Sequence, residues 1–94
     1  MNEHATNLLA RIENREALVG IIGMGYVGLP LALALADRGF TVLGFDVDDS
    51  KVEALKRGEC YIKHIDGGRV RASVDSDRLW ATSDFTRIGE PDVI

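Results

Sequence analysis

Between positions 17 and 58 the chain alternates short, strand-like runs that are apolar almost throughout with longer, helix-like runs, the first apolar on all sides and the second on one face. Ala17 to Ile22 is apolar except for Gly20, as expected of a parallel strand buried on both faces. Leu29 to Arg38 follows, with Leu29, Leu31, Leu33 and Leu35 alternating with Pro30, Ala32, Ala34 and Ala36. That alternation imitates a strand, but leucine and alanine are strong helix formers, and a run apolar all round fits a helix pressed between a sheet and other protein. Pro30 falls in the first turn of such a helix, where a missing N–H costs nothing, and Gly39 supplies a left-handed stop. Phe40 to Phe45 reads as a second strand.

The next run opens on Asp48, Asp49 and Ser50, and Ser50 with Glu53 matches a capping box. Val52 and Leu55 face inward, Lys51, Lys56 and Arg57 face water, and Gly58 ends the helix. Glu59 to Gly68 reads as a loop with more apolar and aromatic residues than exposure favours, so it packs over something or receives a ligand. A short helix from Arg69 to Asp75 leads to a third strand at Leu79 to Thr82. Ser83 or Asp84 caps a brief turn through Ile88, and Pro91 to Ile94 opens a fourth strand. Ahead of all this, residues 1 to 16 place Leu8, Leu9 and Ile12 on one helical face, which predicts a leader helix on the domain edge.

The junction between the first strand and first helix carries the chemistry. It reads Gly23-Met24-Gly25-Tyr26-Val27-Gly28, a G-x-G-x-x-G fed by a strand and followed by a helix, and Asp46 closes the second strand eighteen residues after Gly28. The first glycine serves the tight turn, the second admits a pyrophosphate to the backbone, and the third lets helix and strand approach. Met24, Tyr26 and Val27 are freer to vary. The helix directs unpaired N–H groups and its positive dipole end at the turn, so a diphosphate is held without a lysine. Asp46 is either a solvated acid beside Asp48 and Asp49 or the acceptor for the two hydroxyls of an adenosine ribose, and the glycine turn favours the second. Its charge would repel a 2′-phosphate, which favours NAD over NADP.

At 94 residues the chain is one domain at most. The expected fold class is α/β, a Rossmann-like parallel sheet with flanking helices, of which only the first βαβαβ half fits, so positions 17–94 read as a truncated domain. A net charge of −4 with no basic block argues against nucleic acid. No run reaches the ~18 apolar residues of a membrane span, and no signal-peptide pattern opens the chain, which predicts a cytoplasmic protein. Cys60 is the single cysteine, so no internal disulfide forms, and its setting after a helix end suits a small, partly buried residue better than a nucleophile. His4 and His64 make no spaced pair, and no metal site is expected.

The wording Val19-Gly20-Ile21-Ile22-Gly23-Met24-Gly25-Tyr26-Val27-Gly28-Leu29-Pro30, then Gly44-Phe45-Asp46-Val47-Asp48, then Lys51-Val52 through Leu55 and Gly58, resembles the N-terminal part of the nucleotide-sugar dehydrogenases, the UDP-glucose and GDP-mannose dehydrogenase family. The loop Cys60-Tyr61-Ile62-Lys63-His64-Ile65 and the leader Leu8 to Glu13 resemble the branch acting on UDP-N-acetylhexosamines, nearest UDP-N-acetylglucosamine 6-dehydrogenases. The resemblance implies an oxidoreductase that converts a sugar C6 alcohol to a carboxylate in two NAD-dependent steps, a homo-oligomeric parent and a place in polysaccharide biosynthesis. It also implies that Gly23, Gly25, Tyr26, Val27 and Gly28 line the pyrophosphate, that Asp46 holds the adenosine ribose and that Lys51 lies beside it. First-turn lysines are often simply solvated, which leaves Lys51 open. The family's catalytic cysteine and lysine lie downstream of this stretch and Cys60 does not match them, so this chain is expected to be inactive alone. The competing reading is a free-standing dinucleotide sensor without catalysis.

Overall fold

The computed structural model describes residues 17–63 and 65–94, so the expected leader helix and both histidines, His4 and His64, lie outside the described residues. Three parallel strands, β1 (Leu18–Ile22), β2 (Thr41–Phe45) and β3 (Leu79–Thr82), form a sheet in the order β1-β2-β3. Helix α1 (Gly28–Asp37) joins the first two, and α2 (Asp49–Lys56) and α3 (Gly67–Asp75) join the second and third. A 3-10 helix spans Phe85–Gly89. The chain then returns to β1 on its free side, where Val93 bridges Val19 in parallel and the Gly20 N–H donates to the Val93 carbonyl at 2.6 Å. The expected fourth strand therefore opens where expected, and the order runs β3-β2-β1 and then the Val93 segment. This is the first half of the Rossmann arrangement, with the change of direction at β1.

The register explains where the core lies. Val19 pairs with Val42 and Val42 with Leu79, and Ile21 pairs with Gly44 and Gly44 with Ala81. Paired residues share a sheet face, and Ile21, Val42, Leu79 and Ala81 cluster with Leu29, Ala32, Leu33, Val52, Leu55 and Val70 from all three helices. Leu29, Ala32, Leu33 and Ala36 are the buried positions of α1, a spacing that settles the helix against the apparent alternation. The opposite face is covered more thinly. Phe45 meets the Phe85 ring at 5.7 Å, Pro91 lies against Gly20, and Trp80 and Ile22 remain about half exposed. The expectation that the first strand is buried on both faces thus fails at Ile22, because the three helices share one side.

Helix boundaries differ from the sequence reading where an Asp outcompetes the expected signal. The N-cap of α2 is Asp48, whose carboxylate accepts from the Ser50 N–H at 2.9 Å and from the Ser50 hydroxyl, so Ser50 is the capped residue and not the cap. Likewise Asp66 caps α3 and starts it at Gly67, two residues earlier than expected. Asp84 caps the 3-10 helix. Gly39 and Gly58 end α1 and α2 at φ +94° and +72°, as read from the sequence.

The tightest constraint on the fold is at the start of α1. A Cβ on Gly28 would stand 1.7 Å from the Gly23 carbonyl oxygen, a backbone atom that cannot rotate away. Gly28→Ala should therefore cost roughly 3 kcal/mol or more. The cost is read as a fall in denaturant midpoint at unchanged slope, and a variant as stable as the parent would show that the helix does not sit this close.

Candidate dinucleotide site

Each part of the site is placed by a different element. β1 delivers the chain to Gly23, whose φ of +86° needs glycine and whose N–H donates to the Phe45 carbonyl at 2.7 Å, tying the turn to the end of β2. Met24 then plunges into the core. It is fully buried, and its sulfur would lie 2.6 Å from a Cβ on Gly44. Met24 is thus not free to vary, contrary to the sequence reading. A large side chain here and no side chain at position 44 are two halves of one contact.

After Met24 the backbone turns outward. Gly25 would carry a Cβ into open space, with nothing within 4 Å. Tyr26 and Val27 are 81% and 80% exposed. Val27 is the N-cap of α1 and makes no side-chain cap. Among the described residues, the N–H groups of Gly25, Tyr26, Val27 and Gly28 donate to no protein acceptor. A helix start normally finds partners for such groups, and together with the dipole they form a seat for an anion.

Asp46 lies beside this turn and is 8% exposed, so it is not the solvated acid of the alternative reading, whereas Asp48 and Asp49 are exposed. Its Oδ2 accepts from the Met24 N–H at 2.9 Å and its Oδ1 from the Asp48 N–H at 2.9 Å. A carboxylate has about four acceptor positions, so two remain for hydroxyl donors. The same side chain therefore holds the glycine turn in shape and keeps capacity for a diol.

Lys51, on the first turn of α2, reaches over the Tyr61 ring with its ammonium 5.8 Å from the centroid. That distance is at the reach of a cation–π contact. The Tyr61 hydroxyl donates to the Met24 carbonyl. Burial, and secondly the Asp46 carboxylate, push the Tyr61 phenol well above its usual range. Loss of its proton would set a phenolate against a carbonyl and beside a carboxylate, so the hydroxyl stays a donor. Tyr61 was missed as a site residue. The apolar content of the loop showed that it covers something, and Ile62, Tyr61 and Ile65 do pack on the core, but no local pattern says that one member reaches back to Met24.

Cys60 is partly buried, and its thiol donates to the Ile62 carbonyl at 3.4 Å, away from this set. Among the described residues no cluster could hold a metal ion, and no helix is long and apolar enough to cross a membrane.

A parallel half-sheet, an anion seat at the first helix and a buried acid at the end of the second strand define a dinucleotide-binding α/β domain. The model of the UDP-glucose/GDP-mannose dehydrogenase family, NAD binding domain, matches residues 17–94. The chain belongs to that family, and its cofactor is NAD. It is 44% identical over 78 residues to "Uncharacterized protein MJ1054" of Methanocaldococcus jannaschii, covering 81% of this chain and 8% of that one. It is 37% identical over 67 residues to the UDP-N-acetyl-D-mannosamine dehydrogenase of Escherichia coli K12, covering 61% of this chain and 16% of the relative. Among solved structures, the NDP-N-acetyl-D-galactosaminuronic acid dehydrogenase of Methanosarcina mazei Go1 superposes with a TM-score of 0.73 at 34% identity, over 92% of this chain and 21% of that chain. The chain thus spans a small part of the relatives it matches.

The geometry separates two glycines that the motif treats alike. Gly28 is constrained by protein, whereas Gly25 meets only what enters the turn. Gly25→Val is expected to leave the melting temperature within a few degrees of the parent while NAD binding falls below detection in a calorimetric titration. Retained affinity would remove the turn from the cofactor site.

Proposed function

We propose that this chain is the NAD-binding portion of a nucleotide-sugar dehydrogenase whose parent oxidises the C6 hydroxyl of a UDP-N-acetylhexosamine to a carboxylate, using two NAD in two successive steps. The observation that carries the reading is the pairing of N–H groups at Gly25 to Gly28, which find no acceptor among the described residues, with the buried carboxylate of Asp46. The N–H groups would take the pyrophosphate, Asp46 the adenosine ribose, and Lys51 a place at the ribose edge. NAD supplies the hydride acceptor, and the residues of this chain grip its adenosine end.

The sugar assignment rests on the loop wording Tyr61-Ile62-Lys63-His64-Ile65, which leans toward UDP-N-acetylglucosamine, and on relatives whose names place them on N-acetylated UDP-sugars. Among the residues of the site none is a nucleophile or general base aimed at a sugar, so the chain alone binds and does not oxidise. The parent works in the cytoplasm as an assembly of identical subunits.

A titration of the purified chain with NAD, ADP-ribose and NADP tests this directly. NAD and ADP-ribose should bind with similar affinity, since both carry the adenosine diphosphate end, and NADP should bind at least tenfold more weakly. Binding of NAD without ADP-ribose would move the site off the glycine turn and overturn the assignment. Asp46→Asn should narrow the preference for NAD over NADP. Because the amide would present an N–H₂ to either Met24 or Asp48, it should also lower stability by about 1 to 3 kcal/mol. An unaltered preference would take Asp46 out of the ribose contact.

A further inference from the structure

We propose that Tyr61 is a positioning residue for the dinucleotide, its hydroxyl setting the plane of the Met24–Gly25 peptide and so aiming the Gly25 N–H at the pyrophosphate. The inference rests on the reading of the glycine turn as a cofactor site and adds a residue that lies outside the glycine motif. A peptide unit is planar, and its C=O and N–H point in opposite directions. A donor that holds the Met24 oxygen therefore fixes where the next N–H points.

The preceding peptide is held in the same manner, because the Met24 N–H donates to Asp46 Oδ2. Two consecutive peptide planes are thus each pinned by a side chain from a different segment, Asp46 from the end of β2 and Tyr61 from the loop after α2. Among the described residues, the N–H groups that come next, Gly25 to Gly28, donate to no protein acceptor. The clamp stops where the ligand seat begins.

Tyr61 is equipped for this task. The Lys51 ammonium covers its ring, and Ile62, 7% exposed, anchors the loop beside it. Its partner is a carbonyl 37 residues earlier in the chain and outside any regular element. A ring that served packing alone would not need a hydroxyl there.

The test is Tyr61→Phe in the full chain, titrated with ADP-ribose and with adenosine beside the parent protein. Adenosine has no phosphate and reads the ribose contact, whereas ADP-ribose needs the turn. The dissociation constant for ADP-ribose should rise roughly fivefold, the worth of one hydrogen bond. That for adenosine should stay unchanged, as should the melting temperature to within a few degrees. Unchanged binding of ADP-ribose overturns the proposal, and so does equal weakening of both ligands, which marks a general loosening. A parent chain that binds no ADP-ribose overturns the cofactor reading itself, and this is told apart from failure of the proposal because there the parent binds. Independently of any variant, the Gly25 amide resonance of the parent should move on adding ADP-ribose and stay in place with adenosine, and a resonance indifferent to both also overturns the proposal.

Discussion

The contact on which the rest depends is the closeness of two backbones, Gly28 at the start of α1 against the carbonyl of Gly23 at the start of the turn. No side chain fits between them. With the helix held so near the strand, its unpaired N–H groups face the turn and Met24 is forced down into the space above Gly44. A helix standing one side chain farther away would leave both a void at Gly44 and a poorly aimed anion seat. The packing of the fold and the shape of the site are consequences of one distance.

Around that contact the structure spends its polar groups economically. Asp46 is buried, yet both its oxygens accept backbone N–H groups at 2.9 Å, so its desolvation is offset before any ligand arrives. Tyr61 and Lys51 extend the same set outward from the core to the surface. Removing the Asp46 carboxylate leaves two backbone N–H groups without their acceptor, so substitution there acts on stability and on binding together, whereas a side chain added at Gly25 would meet nothing of the protein within 4 Å.

The strands, α1 and the glycine turn were legible in the sequence because each rests on local rules. Apolar runs make buried parallel strands, leucine and alanine make helices, and glycine is needed where φ turns positive or backbones touch. Two helix starts lie two residues earlier than the sequence reads, because Asp48 caps where Ser50 is the expected cap and Asp66 draws the two glycines after it into the helix, and only the bonds formed decide this. Met24 reads as variable in the sequence for a related reason. Its burial depends on Gly44, twenty residues away, and no window along the chain contains both. The role of Tyr61 was illegible on the same ground, since its partner is 37 residues distant. The exposed Ile22 reflects a third kind of information, that all three helices lie on one side of the sheet.

The groups of the candidate seat come from Gly23 to Tyr61, a stretch that includes β2, α1 and α2, and β3 holds it from outside, the Thr82 carbonyl accepting from the Asp46 N–H at 3.2 Å. The seat is in shape only when the three-stranded sheet beneath it is. A ligand that binds only the ordered turn adds to its stability in proportion to the logarithm of ligand concentration over dissociation constant. The ligand that fills the turn and the sheet that shapes it are thus thermodynamically linked, each stabilising the other.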